Sequence, residues 1–272
     1  YHPTTLKSNG ALMSEAARGE GAYLINADGE RFMERYAPNM MELASRDVVS
    51  RSEQTEINEG RGKDGCVFLD CRHLGEKKIS ESLSQIRELG KDFANVDMLY
   101  DPVPIRPGMH YQMGGIKTNV DGETIVPGLY AAGETACVSV HGGNRLGANS
   151  LLDTLVFGRR SGEHAAGLVK GKSHKAVDDS AANGDREHIQ DMLNRDAGEG
   201  FGQVRLEMGQ VMNQHLAVFR EQAGMEEAKS RLVGLRERYA SVSVTDKGKT
   251  FNTNLIFTLE LGFMLDCAEA IA

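Results

Sequence analysis

Cysteine is scarce and unpatterned in this 272-residue sequence: Cys66, Cys71, Cys137 and Cys267 form no CxxC pair. That spacing supplies neither a disulfide framework nor a zinc site, and it fits reduced thiols in a cytosolic or matrix-like compartment. Basic charge is also short. Lys and Arg number 31 against 39 Asp and Glu, a net charge of −8, which argues against a nucleic-acid partner. No apolar run approaches the ~18 residues that cross a bilayer. The densest stretch, Leu255 to Leu265, is broken by Thr258, Glu260 and Gly262. No direct membrane span is expected, although the chain could sit on a membrane-bound partner. No signal peptide opens the sequence. It starts at Tyr1-His2-Pro3 and stops at Ala272, inside an apolar helical pattern without a Gly or Asn cap. Both ends read as cut, as in a piece of a longer polypeptide.

What is present is ordinary for a folded protein: 40% hydrophobic and 26% charged residues, with length for about two domains of roughly 150 residues. Ala22 to Ile25 and Arg31-Phe32 flank Asp28-Gly29, predicting a hairpin. Cys66 to Leu69 predicts a buried strand, and Ser80 to Leu89 has helical spacing. Pro102, Pro104 and Pro107 read as a stiff extended connector and a domain boundary. Strands return from Ile116, with Asp121-Gly122 as a second hairpin turn, and Gly128 to Glu134 reads as a strand entering a tight loop. Ser150 and Asp153 have capping-box spacing, so a helix is expected from about Ser150 to Val169. Residues 170–184 are polar and linker-like. Beyond them the pattern is helical, with Val204, Met208, Val211, Met212, His215 and Phe219 on one stripe and Leu232, Leu235 and Tyr239 on another. The methionines read as core filling.

Four segments carry chemistry-bearing residues. His141 to Ser150 holds three glycines in the six residues from Gly142 to Gly147, just before a helix, together with Arg145. Backbone amides there can approach a ligand closely, the helix start favours an anion, and Arg145 can grip a carboxylate. The alternative is a glycine-rich turn with a surface Arg. His110-Tyr111-Gln112-Met113-Gly114-Gly115 offers a ligand-binding histidine, or a satisfied histidine beside a turn. Ser14 to Gly21 mixes hydroxyl, carboxylate and guanidinium, as an active cluster or a solvated face does. Ser45 to Arg51 reads as a functional arginine cluster or as a helix start with i, i+4 charge pairs.

In order and spacing these segments resemble the flavoprotein subunit of succinate dehydrogenase and of its relative fumarate reductase. The resemblance rests on His2-Pro3-Thr4, Arg18 to Gly21, Phe32 to Tyr36, Arg46 to Arg51, His110-Tyr111-x-Met113-Gly114-Gly115, His141 to Asp153 and Asn252 to Ala270, and spans nearly the whole chain. It implies an α+β fold in three parts: a capping domain at 1–107, the returning half of a Rossmann-like FAD-binding domain at 108–169, and a partial helical domain at 170–272. The first half of the flavin domain, with its GxGxxG loop and flavin-attaching His, has no counterpart here.

The resemblance also implies roles. His2, Ser14, His110 and Arg145 would bind the two carboxylates of succinate or fumarate, with Ser14 standing where the family usually has Thr. Glu134, Ser150 and Leu151 match FAD-contacting positions. Arg46 matches the proton-transfer residue, and Glu15 and Arg18 a relay behind it. An arginine, with a pKa above ~12, is an awkward base unless it passes the proton on at once. No metal site is implied. The expected partners are an iron–sulfur subunit and a membrane anchor, with electrons reaching quinone. The expected location is the cytoplasmic face of a bacterial inner membrane, or the mitochondrial matrix side. Two alternatives stand beside this reading: L-aspartate oxidase, which shares much of the Arg46, His110 and Arg145 pattern, and an isolated structural fragment without activity of its own.

Overall fold

The computed structural model describes residues 1–7, 10–174, 176 and 178–272. It divides into two compact units, Tyr1–His174 and Lys175–Ala272. In the first unit β1 (His2–Leu6), α1 (Glu15–Gly19), β2 (Tyr23–Ile25), α2 (Met33–Tyr36), α3 (Arg46–Asn58), β3 (Val67–Asp70), α4 (Gly75–Ser82), α5 (Ser84–Ala94) and β4 (Val103–Gly108) follow in order. The four strands form one antiparallel sheet, ordered β1-β4-β3-β2. The period-2 side-chain alternation of a strand turns Val67 and Leu69 of β3 and Val103 and Ile105 of β4 inward. Helix α3 packs against β1, β3 and β4. Leu6, Leu24, Phe32, Val49, Leu69 and Ile105 lie in the resulting core. The helical stretch expected at Ser80 to Leu89 is two helices, α4 and α5, separated at Leu83.

The proline-rich segment is not a connector. As β4 it is an inner strand, paired with β1 on one side and β3 on the other. A proline removes one ladder donor but leaves the side-chain alternation intact, and that alternation buries Val103 and Ile105. Pro107 falls where β1 and β4 lose register: His2 pairs with Gly108 and Thr5 with Arg106, three steps along β1 against two along β4. This is a bulge in β1, a device that re-aims side chains. Gly108 is required there, because a Cβ would lie 2.4 Å from Thr5 Oγ1.

The hairpin expected across Asp28-Gly29 is also corrected. The turn forms, with Asn26 Oδ1 accepting from the Asp28 and Glu30 amides, but Arg31-Phe32 makes no strand. β2 pairs instead with β3, and the chain runs on into α2. After β4 come the short parallel pair β5 (Ile116–Lys117) and β6 (Ala136–Cys137), and then α6 (Asn149–Val169). Asp121-Gly122 turns without a strand hairpin. Gly128 to Glu134 contributes only a bridge at Tyr130 and a 3-10 turn at Gly133–Thr135.

Part of the expected linker at 170–184 is ordered as a 3-10 turn at Asp179–Ala182, while Lys175 and Val177 lie outside the described residues. The second unit holds α7 (Asn183–Asn194), α8 (Phe201–His215), α9 (Gln222–Tyr239) and α10 (Thr253–Ile271). Val204, Met208, Val211, Leu232, Leu235 and Leu261 form its core, the first three on one face of α8 as their spacing predicts. Phe219 lies beyond the end of α8 and is partly exposed. No described helix is long and apolar enough to cross a membrane.

One buried carboxylate ties α3 to α2 and β2. Glu56 accepts from Tyr36 Oη at 2.6 Å, Arg61 Nε at 2.8 Å, Asn26 Nδ2 at 3.1 Å and Arg35 Nη1 at 3.1 Å. Burial pushes its pKa up, but the bonds from Arg61, Tyr36 and Asn26 outweigh that and hold it at about 2. A carboxyl depressed in the folded state stabilises above its unfolded value, and that stability is lost as pH falls toward the folded value. Thermal denaturation followed from pH 6 to pH 2.5 should therefore show Tm dropping below about pH 4.5. Glu56→Gln should lower Tm at pH 6 and flatten that acid-side slope.

Candidate functional site

The bulge in β1 brings His2 against the end of β4. The His2 and His110 rings meet edge to face with centroids 5.5 Å apart. His2 is 3% exposed. Its Nδ1 accepts from the Thr4 amide at 3.2 Å, because the Thr4 hydroxyl is itself donated to the Met13 carbonyl. That bond assigns the remaining proton to Nε2, leaving an N–H for a ligand. Burial, followed by the positive fields of Arg46, His110 and Arg18, drives the His2 pKa down to about 3. Burial, Arg46 and Arg145 lower that of His110 against the opposing charge of Glu134. Both rings are therefore neutral N–H donors at physiological pH.

Arg46 opens α3 at the same place. Its Nε and Nη2 both donate to Glu15 Oε2, the former at 2.8 Å. The other oxygen of Glu15 stands 3.4 Å from Arg18 Nη2, so three side chains from α1 and α3 form one ionic chain. Its inner end, Arg18, is 2% exposed and donates Nη1 to the Glu42 carbonyl. A small cavity of about 60 Å³ is lined by Arg46, Asp47, His110, Tyr111, Asn144 and Arg145, among others. Asp47 faces it but is engaged by Arg51 at 2.8 Å. The cleft is thus locally cationic on a chain of net charge −8, an arrangement that concentrates anions.

Arg145 lies over the Tyr111 ring, 4.8 Å from its centroid, with Nη1 donating to the Leu146 carbonyl at 2.7 Å. Tyr111 donates its hydroxyl to Asp153 at 3.3 Å, and Asp153 also holds His141 Nε2 at 3.1 Å. Tyr111, His141 and Asp153 are thus supports that the motif reading passed over, although each stands inside a motif it used. Asp153 does not act as the partner of a Ser150 cap. The helix α6 starts at Asn149, its N-cap is Ala148 at φ +65°, and no side chain caps it. The Asn149 amide is donated to the Leu146 carbonyl at 3.3 Å, and no side chain serves the other amides of the first turn.

Cavities of about 370 and 490 Å³ continue from the small one, sharing Met113 and Asn144 with it and His141, Gly142 and Asp153 with each other. Gly142 and Gly143, which line this trough, have open space where a Cβ would stand, and Gly142 adopts φ +56°. The left-handed backbone asks for glycine at Gly142, whereas at Gly143 packing does not demand it and a closely approaching ligand would. Gly115, by contrast, is fixed by the fold: its φ is +112° and a Cβ would meet the Thr135 carbonyl oxygen at 2.4 Å.

The structure brings His2, His110, Arg46, Glu15, Arg18 and Arg145 into one region. Glu134 is beside it, accepting from the Gln112 amide at 3.0 Å. Ser14 is engaged otherwise, as the N-cap of α1, accepting from Ala16 N at 3.2 Å. Ser150 and Leu151 lie on the first turn of α6, with Leu151 72% exposed. Among the described residues no group of three His, Cys, Asp or Glu could hold a metal ion.

A glycine-lined trough thus leads to the cleft that holds Arg46, His110 and Arg145, and comparison gives the class of protein. The FAD binding domain family model matches residues 1–151, and the fumarate reductase flavoprotein C-terminal model matches residues 205–272. The chain belongs to this FAD-binding family, within the group of succinate dehydrogenase and fumarate reductase flavoprotein subunits. It is 44% identical over 283 aligned positions to the succinate dehydrogenase flavoprotein subunit of Rickettsia bellii, covering 98% of this chain and 47% of that one. To the fumarate reductase flavoprotein subunit of Escherichia coli it is 40% identical, covering 100% of this chain and 48% of that one. A solved E. coli quinol fumarate reductase chain superposes with a TM-score of 0.91 at 39% identity, over 99% of this chain and 49% of that one. The chain spans about half the length of the curated relatives it matches.

The neutral state of His2 can be checked directly. Imidazole NMR of the substrate-free protein should show no titration of His2 between pH 5 and 8, with Nε2 protonated throughout. A His2 that titrates near the ordinary value of about 6.5 would contradict the burial seen here.

Proposed function

We propose that the protein interconverts succinate and fumarate with bound FAD, and that this chain carries the substrate clamp and the proton path. The observation that carries this reading is the continuous Arg46–Glu15–Arg18 ionic chain, whose outer end shares a cavity with His110 and Arg145. A four-carbon dicarboxylate needs a donor set at each end and a proton carrier between them. Arg145 grips one carboxylate through parallel N–H groups, steadied by the Tyr111 ring and the Tyr111–Asp153 bond. His2 and His110 offer neutral N–H donors to the other, and Ser14 adds its hydroxyl once released from its capping bond. Orientation of this kind is worth about 7–11 kcal/mol of barrier.

The uncapped first turn of α6, Ser150, Leu151 and Glu134, together with the open glycine trough, fit the flavin. Bound FAD would accept the hydride equivalent in oxidation and return it in reduction. In oxidation Arg46 passes a proton to Glu15, to which its Nε and Nη2 donate, as it takes the proton from the substrate carbon. In reduction it gives a proton to that carbon as Glu15 resupplies one, so the guanidinium is never left neutral. Arg18 keeps Glu15 in place. In this reading residues 1–107 act as a cap that admits substrate and then excludes water, 108–169 complete the flavin domain, and 170–272 belong to a helical domain. Electrons leave to an iron–sulfur subunit held on a membrane anchor and thence to quinone. The protein is peripheral, on the cytoplasmic face of a bacterial inner membrane or its mitochondrial equivalent.

In the complete, flavin-loaded protein, Arg46→Ala should lower succinate turnover by about 10²–10⁴-fold, the usual worth of a positioned acid–base group, while flavin absorbance is retained. L-aspartate should not replace succinate as reductant of an artificial dye. Retention of more than a tenth of the parent rate in R46A would overturn the role of Arg46.

A further inference from the structure

Behind the proton path lies a group that the reaction as described does not use. Arg46, Ser50 and Glu53 stand at i, i+4 and i+7 on α3 and share one face. Arg46 is at its cleft end, and Glu53 lies inside the unit, wholly buried. Both Glu53 oxygens and Ser50 Oγ lack a hydrogen-bond partner, as do Nε and Nη2 of Arg18. Buried polar atoms in that state are rare, and each calls for a reason. Five of the eight found among the described residues belong to these three side chains.

Arg18 is the charged group that acts on Glu53. Among the charges acting on Arg18, Glu15 weighs most and Glu53 next, ahead of Arg46 and Glu42. Other ionisable groups also stand on the elements packed against α3, among them Tyr36 on α2, which donates to Glu56. His2 on β1 is neutral, Asp70 on β3 is paired with Arg72, and Arg35 on α2 serves Glu30 and Glu56. Glu34 on α2 and Arg106 on β4 are not among the charges that shift Glu53, which Arg18 alone opposes. One buried cation therefore feels two acids, with a 3.4 Å contact to Glu15 and two nitrogens that bond neither. That contact is longer than the roughly 2.7–2.9 Å of a strong charge-assisted bond, so Arg18 is not locked onto Glu15. Burial, opposed by Arg18, holds the Glu53 carboxyl well above the ordinary carboxylate range and so favours its neutral form.

We propose that Glu53 is a positioning residue for the proton path: in its neutral form it leaves Arg18 to Glu15, and on ionising it draws Arg18 away and uncouples Glu15 from Arg46. This rests on the reading of Arg46, Glu15 and Arg18 as that path. No proton moves from Glu53 along the path. Its own proton is lost to solvent as pH rises, and the competition for Arg18 follows. Glu53 thereby sets the alkaline limit of turnover.

The test uses the complete flavin-loaded enzyme, with succinate turnover measured from pH 6 to 10 and each profile normalised to its own maximum. Glu53→Gln and Glu53→Met, neither of which can ionise, should both move the alkaline half-maximum upward by at least half a pH unit. Glu53→Asp, which can ionise, should restore an alkaline fall. Superimposable profiles for the parent and for whichever of E53Q and E53M folds, with flavin bound, would overturn the proposal. Arg46→Ala measured alongside separates the two ideas. An inactive R46A with unshifted E53Q sinks only the role of Glu53, whereas an active R46A sinks the proton path itself.

Discussion

A guanidinium at 2% exposure is the constraint around which the first unit is arranged. Removing such an ion from water costs several kcal/mol, recovered only through close, well-directed partners. Arg18 has a backbone carbonyl at Glu42 and a carboxylate at Glu15, with the buried Glu53 acting on it from farther off. Holding those partners requires α1, the Glu42 segment and α3 to converge on one point. That convergence also delivers Arg46 to the cleft through Glu15. At an effective dielectric near 20, two unit charges 4 Å apart interact by about 4 kcal/mol. The ionic chain is thus strong enough to fix Arg46, yet loose enough at the 3.4 Å contact to respond to its surroundings.

Helix α3 carries two buried glutamates in its C-terminal half with opposite electrostatic settings. Near its C-terminus Glu56 is saturated with donors from Tyr36, Arg61, Asn26 and Arg35 and is held as a carboxylate. One turn earlier Glu53 has no donor bonded to it, and burial pushes its carboxyl well above the ordinary range. Two glutamates three positions apart, both without exposed surface, are shifted in opposite directions because one faces bonded N–H and O–H groups and the other a distant cation.

Much of the site was legible before the fold was known. His2, Arg18, Arg46, His110 and Arg145 each belong to a motif, and the order of those motifs along the chain resembles one family. What could not be read was the support beneath them. Tyr111 and Asp153 are separated by 42 residues, and only the fold joins them through one hydrogen bond. The Ser150-to-Asp153 spacing suggested a cap, but Asp153 serves Tyr111 and His141 instead, which a local pattern cannot reveal. The same limit explains the fold errors. Prolines at 102, 104 and 107 argue locally for a connector, yet burial of Val103 and Ile105 makes β4 an inner strand. Asp28-Gly29 turns as expected, but the strand that β2 needs lies some forty residues on, in β3. Helices whose apolar spacing was regular, such as α8 and α9, were legible because their information is local.

The pairing of β1 with β4 has a mechanical consequence. His2 lies in β1 and His110 only two residues past the end of β4, so both imidazoles are anchored to a single hydrogen-bonded sheet. Arg145 is not; it hangs from the loop before α6. Were the sheet to swing relative to that loop, the two rings would travel as one rigid jaw and Arg145 would form the opposing one. The bending would fall in the five residues from Tyr111 to Gly115, where Gly114 and Gly115 adopt φ of +99° and +112°. Opening and closing would then change the span between the jaws, which a diacid of fixed length measures, while leaving the geometry within the histidine pair untouched.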